Sequence, residues 1–507
     1  MKRINQYLSL LLIVALLASC DKFDEINTNP DATTKVTASL LATGLVLNIT
    51  TPSSSKSFIS DKLLSKQLVW ANEGMEDYQY NVFGRSSFGG YNALINAQKM
   101  VESVTDDNVN AYDGLAHFIK AYKLFYMSLE MGDIPYEEAL QGEKGLVKPR
   151  YNTQKEVMGF ILDDLSKAYE LFSNGKDFSG DPILGGEIAR WKKATTALQL
   201  KVLMHLSKKE GDTDLNIKQR FTGIVSSGSL MESNADNLQM TFMDKANTIY
   251  PFHYTNTKYA PNTVLSNMII DKCRETGDIR MFYYAQPAEA RLKAGLKEDD
   301  WNAYVGLDPS DPLDKINAAY AIKEYSALNL RYTDYPAGEP VIRLGYAEQN
   351  FILAEAAVRG WIQGDASAYY KKGIEASMNF IATNTPDDVI YHHGHPINEE
   401  SIAAFLANPE IQLTGSKEKD IEKILTQRYL YSFMQHPWDI YYDYRRTGYP
   451  VLPINPKTNR NAVLDKIPTR WMYPKGESDY NQENIDEALA RQFGGVDDVN
   501  KLMWILQ

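Results

Sequence analysis

Apolar residues recur at every third or fourth position along much of this chain, which is the spacing of an amphipathic helix. The longest such run predicts a helix over residues 111–131 that ends at the Gly-Asp-Ile-Pro sequence of residues 132–135, because glycine and proline stop helices. The same spacing predicts helices over 153–172, from about 187 to 208, and over 421–435. The chain is therefore predicted to be mainly α-helical.

A helical hairpin is predicted over residues 346–380. Its first helix stops at Gly360, a turn covers residues 361–365, and the return helix carries the adjacent Tyr369 and Tyr370. Small residues at the helix crossing and paired tyrosines on the return helix resemble a tetratricopeptide unit of about 34 residues. A generic antiparallel helix pair is the alternative.

Residues 210–345 and 381–420 differ from these helical stretches, since clusters of Gly, Pro, Asn and Asp separate short apolar pieces. Long irregular stretches inside a compact domain are usually functional loops or disordered segments. The aromatic residues of 250–335 favour ordered loops. Because no linker divides the chain, we expect one large domain in which tetratricopeptide-like helix pairs pack with a loop-rich insertion region.

The N-terminus has the parts of a secretory signal. A basic start is followed by an apolar run from Leu8 to Ala18, broken only by Ser9, and by small residues before Cys20. This run is too short to cross a bilayer, which needs about 20 apolar residues. The ending Leu17-Ala18-Ser19-Cys20 matches the bacterial lipobox, in which the cysteine is acylated and the acyl chains attach the protein to a membrane. An ordinary signal peptide that ends near a cysteine is the alternative.

These observations divide the chain into three parts. Residues 1–19 are predicted to be a signal peptide, residues 20–38 a lipidated tether that begins at Cys20, and residues 39–507 the folded domain.

The composition is acidic. The 507 residues carry a formal net charge of −12, and removal of residues 1–19, which hold two basic and no acidic residues, changes it to −14. Nucleic-acid binding needs a basic surface, and electrostatic docking on anionic lipid needs the same. We therefore expect no nucleic-acid partner, and contact with a membrane through the lipid rather than through charge.

No motif for catalysis or for a cofactor stands out. Once Cys20 is acylated, Cys273 is the one remaining cysteine, which excludes an intramolecular disulfide and a cysteine-based metal site. The chain lacks the Gly-x-Ser-x-Gly elbow, the phosphate loop and the EF-hand loop. The histidines at His392, His393 and His395 are weak evidence for a metal site, because no acidic partner is evident. We expect no catalytic residues, metal or cofactor.

Two carboxylates in the hairpin could form a catalytic acid–base pair, but this is the less favoured of two interpretations. Glu348 and Glu355 share a helix face two turns apart, near the upper edge of the roughly 5–10 Å that separates catalytic carboxylate pairs. Acids on helix faces are more often solvated or ion-paired. Arg445-Arg446 is expected to pair with nearby acids such as Asp439 or Asp443.

Several short motifs, each weak alone, occur in one order along almost the whole chain and together resemble the SusD/RagB family. They are Phe23-Asp24-Glu25-Ile26-Asn27-Thr28-Asn29-Pro30, Gly132-Asp133-Ile134-Pro135-Tyr136, Gly345-Tyr346-Ala347-Glu348, Ala354-Glu355-Ala356-Ala357, Asp443-Tyr444-Arg445-Arg446-Thr447-Gly448 and Ile467-Pro468-Thr469-Arg470. The match is closest to the branch of SusD-like nutrient-binding outer-membrane lipoproteins of Bacteroidetes.

This resemblance implies about four tetratricopeptide-like helix pairs, with ligand contacts on loop-rich insertions. It also implies a lipid-anchored protein on the cell surface that acts as a lid on a TonB-dependent outer-membrane β-barrel of the SusC-like kind. The captured nutrient would be an oligosaccharide or a peptide. The alternatives are an extracellular hydrolase that acts on glycans or peptides, and a purely structural interaction scaffold.

Aromatic residues with polar neighbours in two loop regions are the candidate ligand contacts, because sugars stack their CH faces on rings and bond polar groups at the rim. The first region, residues 70–91, also contains Asn72 and Glu73; the second lies around residues 283–304. The alternative for each ring is buried packing. The candidate residues are Trp70, Tyr78, Tyr80, Arg85, Tyr283, Trp301 and Tyr304.

Overall fold

The computed structural model describes residues 36–54, 56–105, 107–226, 228–256, 258–435 and 438–507. The predicted signal peptide, the proposed lipidation site Cys20 and most of the predicted tether lie outside these residues. Within them, no helix has both the length and the apolar character needed to cross a membrane.

Helices account for most of the described structure. The longer ones are α1 Ala38–Thr50, α2 Lys56–Leu64, α4 Gly90–Glu102, α5 Val109–Met131, α6 Gln154–Ser173, α7 Ile188–His205, α8 Ile217–Ser226, α9 Asn267–Thr276, α12 Leu313–Ala321, α14 Tyr346–Val358, α15 Ala366–Thr383, α17 Glu399–Ala407, α18 Lys417–Tyr431, α19 Trp438–Thr447 and α21 Gln482–Phe493. The short ones are α3 Glu76–Gln79, α10 Met281–Tyr284, α11 Glu289–Lys293, α13 Leu330–Thr333, α16 Val389–His392 and α20 Lys475–Tyr480.

Helices α4 to α7 pack in sequence against one another, and α1 packs on α4. Helix α5 ends where predicted, at Gly132, whose φ of +100° is a conformation that glycine adopts without strain. Helix α6 begins after Thr153, whose side chain accepts a hydrogen bond from the amide of Glu156 while the Glu156 carboxylate accepts from Thr153. The predicted helices over 111–131 and 153–172 are thus confirmed to within two residues.

The predicted hairpin is confirmed as α14 and α15, which pack closely together. Gly373 makes this possible, because a Cβ at that position would lie 2.7 Å from the ring of Phe351. The helix predicted over 421–435 starts earlier and ends earlier, as α18. The last four of those residues leave the helix in a turn in which Met434 adopts a left-handed φ of +59°. The side chain of Gln435 that follows accepts a hydrogen bond through Oε1 from the amide of Ile342 at 2.8 Å.

Among the described residues, four short strands form two antiparallel pairs. Strand β1 (Leu68–Trp70) pairs with β3 (Thr263–Leu265), with Trp70 opposite Thr263. Strand β2 (Leu238–Met240) pairs with β4 (Val341–Leu344). The β1–β3 pair holds the loop that follows β1 beside the turn that precedes β3.

The stretch 210–345 is more regular than its composition suggests, since it contains α8 to α13 and three of the four strands. The stretch 381–420 contains α16 and α17. Two main apolar cores result: one lies among α1 and α4–α7, and the other among α9, α10, α14, α15 and α18.

Candidate functional site

Loops from three distant parts of the chain form an exposed surface of amides and tyrosine rings beside the β1–β3 pair. Asn72 follows β1, Tyr259 and Asn262 precede β3, and Asn317 and Tyr320 lie on α12. We call these five residues the amide–tyrosine patch. All five are exposed or half-buried, so the patch is open to solvent.

Hydrogen bonds between the loops fix the three amides relative to one another. The amide nitrogen of Ala71 donates to the carbonyl of Asn262 at 2.9 Å, which continues the strand pairing by one residue. Asn72 then adopts a left-handed conformation with φ of +77°. Its backbone N–H donates to Oδ1 of Asn317 at 2.9 Å, and its Nδ2 donates to Oδ1 of Asn262 at 2.8 Å.

This arrangement leaves hydrogen-bonding capacity for a ligand. Asn72 uses its side-chain nitrogen and keeps its carbonyl oxygen, whereas Asn262 and Asn317 use their oxygens and keep their NH₂ groups. The patch therefore presents acceptor and donor groups side by side, in positions held by backbone and side-chain bonds.

Two tyrosine rings flank these amides. The ring of Tyr259 packs on that of Trp70, with 5.9 Å between centroids. The ring of Tyr320 stacks on Tyr325 at 4.9 Å and 13°, and its hydroxyl donates to the carbonyl of Pro261 at 2.9 Å. Each ring thus packs on a neighbouring ring, and the hydroxyl bond also holds the orientation of Tyr320.

A buried lysine braces the loop that carries Asn72. The ammonium of Lys66, 1% exposed, donates to the carbonyl of Gln79 and to Oδ1 of Asn81, the latter at 2.9 Å. Burial lowers the pKa of Lys66 to about 7. The side chain of Gln79 in turn accepts from the amide of Trp70 at 2.7 Å, so both ends of the loop are tied together.

The structure separates the four candidates of the first region. Trp70 and Tyr80 are only 3% and 5% exposed, so their rings belong to the interior; Tyr80 also donates its hydroxyl to the carbonyl of Asp311 at 2.7 Å. Arg85 is exposed but is paired with Asp497 at 3.0 Å. Tyr78, 39% exposed, is the aromatic candidate of this region that reaches solvent.

The second region is mostly interior. Tyr283 and Tyr304 are buried, and the Tyr304 hydroxyl donates to the carbonyl of Glu298 at 2.8 Å. Trp301 is half-buried and meets Phe282 edge to face at 4.8 Å. Because buried rings offer no face to a sugar, the burial of these rings favours the packing alternative for Trp70, Tyr80, Tyr283 and Tyr304.

The histidine cluster packs against this second region. The ring of His395 stacks on Phe282 at 3.7 Å and bonds the carbonyl of Asp299 at 2.9 Å. His393 is buried and lies 3.3 Å from the Glu298 carboxylate. In the part of the chain that the structure describes, no group of three or more His, Cys, Asp or Glu side chains could hold a metal ion.

Glu348 and Glu355 are both buried in ion pairs. Glu348 pairs with Arg428 and, at 2.9 Å, with Lys201. Glu355 pairs with Arg446, with 2.8 Å between Oε2 and Nη2, and with Arg359 at 2.7 Å. Burial alone would raise the pKa of Glu355, but the charges and hydrogen bonds of Arg446 and Arg359 lower it to about 2. The ion pairs of Glu348 and Glu355 therefore hold α14 to α7, α18 and α19 in the interior.

The adjacent arginines Arg445 and Arg446 bind different kinds of partner, backbone carbonyls and carboxylates respectively. Arg446 pairs with Asp443 at 2.9 Å, as expected. Arg445 donates instead to the carbonyls of Thr469 and Leu129 at 2.6 and 2.7 Å and lies over the ring of Tyr442.

None of the five members of the amide–tyrosine patch was among the sequence-based candidates. Asn72 was noticed only as a polar neighbour of Trp70, and the others lie about 190 to 250 residues further along. The signal that could have found Asn262 is its Tyr-Ala-Pro-Asn sequence, a turn immediately before a strand-like run.

Comparison with known proteins gives a family and a fold. The family model for SusD-like proteins, described as starch-binding and associating with the outer membrane, matches residues 30–474. A solved SusD homolog from Bacteroides fragilis is 74% identical, covers 93% of this chain and 100% of its own, and has a TM-score of 0.91. A second SusD homolog from the same species is 34% identical, with the same coverage and a TM-score of 0.82.

A chitin-binding SusD homolog from Flavobacterium johnsoniae has a TM-score of 0.71 over 93% of this chain and 98% of its own, at 16% identity, which shows a shared fold. Comparison with curated proteins gives no match.

Proposed function

Because the chain belongs to the SusD-like family of nutrient-binding outer-membrane proteins, we propose that it is a lipid-anchored surface protein that captures an oligosaccharide and delivers it to a TonB-dependent β-barrel of the SusC-like kind. The capture step is binding without chemistry. The barrel and the direction of delivery follow from the family resemblance.

The observation that supports oligosaccharide capture is the amide–tyrosine patch. Hydroxyl groups of a sugar both donate and accept hydrogen bonds, and the patch offers Asn72 as an acceptor beside Asn262 and Asn317 as donors. Sugar CH faces stack on aromatic rings, and Tyr320 is held rigid enough to receive one. A preorganised site of this kind loses little entropy when it binds.

Hydrolysis is the rival function. Its strongest candidates, Glu348 and Glu355, lie in the interior with every charge paired to a cation, where a glycosidic bond has no access. Incubation of the protein with oligosaccharides, followed by mass spectrometry, separates the two functions: intact ligand supports capture, and shortened ligand supports hydrolysis.

Replacing Asn317 by aspartate is expected to weaken oligosaccharide binding three- to tenfold. The carboxylate still accepts from the N–H of Asn72, but the free NH₂ donor is lost, and one hydrogen bond contributes about 0.5–1.5 kcal/mol. Replacing Asn72 by glycine should have a similar effect, because glycine keeps the φ of +77° while removing the side chain. Isothermal titration with starch- and chitin-derived oligosaccharides measures both.

The matched control for ring stacking is Tyr480, which is 79% exposed and lies outside the patch. Tyr320→Ala should weaken binding, Tyr320→Phe should retain most of it, and Tyr480→Ala should leave it unchanged. Equal affinities for all of these variants would place the sugar elsewhere.

Replacing Cys20 by serine is expected to release the protein from the membrane, since serine cannot receive the thioether-linked lipid. Fractionation of Bacteroides cells that express each form should move the variant from the membrane to the soluble fraction. The matched control is Cys273→Ser. Because Cys273 is buried in the fold, its replacement should leave localisation unaltered. A Cys20→Ser protein that stays in the membrane fraction would contradict lipid anchoring.

A further inference from the structure

A cavity of about 280 Å³ lies among α6, α7 and α8, on the helical scaffold and away from the elements of the amide–tyrosine patch. Its walls are largely apolar, with Leu162 from α6 and Ile224 from α8. Tyr169 contributes a ring that is held by a hydrogen bond between its hydroxyl and Ser229. Gly223 forms an open part of the wall, since a Cβ there would meet no atom within 4 Å.

One polar side chain in this cavity has no partner. Gln199 of α7 is 94% buried and lines the cavity. Its side chain makes no hydrogen bond to any residue that the structure describes. Neither polar atom of this amide is fully buried, and the residue lines the cavity. An occupant of the cavity can therefore reach the amide and form hydrogen bonds with it.

The rim supplies a second polar group. The guanidinium of Arg220 is 34% exposed and pairs through Nη1 with the solvent-facing Asp163 at 3.0 Å, which leaves its other N–H groups available. The cavity thus offers a buried donor–acceptor pair at Gln199, a cation at the rim, and aliphatic surface between them.

We propose that this cavity is a binding site for an acetamido group. A secondary amide satisfies Gln199 reciprocally, because its carbonyl accepts from the Gln199 NH₂ and its N–H donates to Oε1. The methyl of the acetyl group packs against Leu162 and Ile224, and the remainder of the ligand reaches Arg220 and Tyr169 at the rim. The proposal stands apart from oligosaccharide capture at the patch, so either can fail alone.

The test uses the full-length lipoprotein in detergent and three small probes: methyl N-acetylglucosaminide, methyl glucoside, and N-acetylalanine methylamide. Ligand-observed saturation-transfer NMR reports which protons contact the protein, and a titration gives the affinity. We expect roughly millimolar binding of an acetylated probe, as suits a ligand of this size, with the strongest saturation on the acetyl methyl. Preference for the sugar or for the amino-acid amide then identifies the source of the acetamido group.

Two variants assign the binding to this cavity. Gln199→Leu keeps the volume of the side chain and removes the amide, and Gly223→Leu fills the cavity from a helical position where a side chain also favours the helix. Each should lower the affinity at least tenfold. Asn317→Asp in the patch should leave it unchanged, and thermal melting checks that each variant folds.

The proposal would be overturned by equal binding of methyl glucoside and its acetylated counterpart, by unchanged affinity in the well-folded Gly223→Leu protein, or by no binding of either acetylated probe. Loss of binding only in Asn317→Asp would assign the probe to the patch and equally reject the cavity site.

Discussion

Replacing Glu355 by glutamine is expected to lower the free energy of unfolding by about 3 kcal/mol at neutral pH, from the cost of breaking a buried ion pair. Glu355 is 1% exposed, and its two partners, Arg446 and Arg359, would keep their charges in the interior. A glutamine retains the size and some hydrogen bonds, so the loss reports the charge. Chemical denaturation of both proteins gives the difference.

The same difference should depend on pH in a defined direction. The pKa of Glu355 falls from its ordinary value of 4.5 in the unfolded chain to about 2 in the folded one. When the pKa of an acid is lower in the folded protein than in the unfolded chain, its charge stabilises the folded protein fully at any pH above the unfolded pKa. This stabilisation is lost as the pH falls from the unfolded pKa towards the folded pKa. The gap between the wild type and Glu355→Gln should therefore be constant above pH 5 and narrow steadily between pH 4.5 and 3.

Glu375 on α15 is the matched control, because it is exposed and its replacement by glutamine should change stability by less than about 0.5 kcal/mol. A gap for Glu355 that does not change with pH would show that the loss comes from packing and not from charge.

Replacing Trp70 by alanine is expected to destabilise the protein by about 3–5 kcal/mol, the range for an aromatic side chain removed from a core. Trp70 is 3% exposed and supports the ring of Tyr259. The change should therefore lower the melting temperature strongly and also weaken oligosaccharide binding, through the loss of support beneath the patch. Calorimetric melting and a binding titration measure the two effects together.

Trp301→Ala is the comparison variant for Trp70→Ala. The ring of Trp301 is only half-buried, so its removal costs less buried apolar surface. Its melting temperature should fall clearly less than that of Trp70→Ala, with oligosaccharide binding unaffected. The opposite order, a stable Trp70→Ala protein with lost binding, would return Trp70 to the role of a direct ligand contact.

Local patterns were enough to predict the helices. The periodicity over 111–131 and the glycine after it place α5, and the hairpin of α14 and α15 follows from the same rule, because helices are formed by contacts three and four residues apart. The end of α18 was misplaced because Met434 adopts a left-handed φ of +59°, beside Gln435, whose side chain bonds Ile342 on a distant strand. A contact of that kind leaves no trace in local sequence.

The site illustrates the same limit. Trp70 and Tyr304 resemble ligand residues in sequence, since aromatic rings in loops suit both binding and packing, and only their burial separates the two roles. Asn72 meets Asn262 and Asn317 across 190 and 245 residues. The turn sequence before Asn262 is a local signal, but nothing in the local sequence shows that the three asparagines lie together.

The helical class, the acidic charge and the family followed from the sequence by itself, because these depend on short motifs and on composition. The lipidation of Cys20 is a prediction of the same kind. The tertiary structure alone decided which rings are buried, which carboxylates are paired with cations, and which amides keep free donors and acceptors. Those properties depend on what surrounds each side chain, and the surroundings come from residues that are close in space and far apart along the chain.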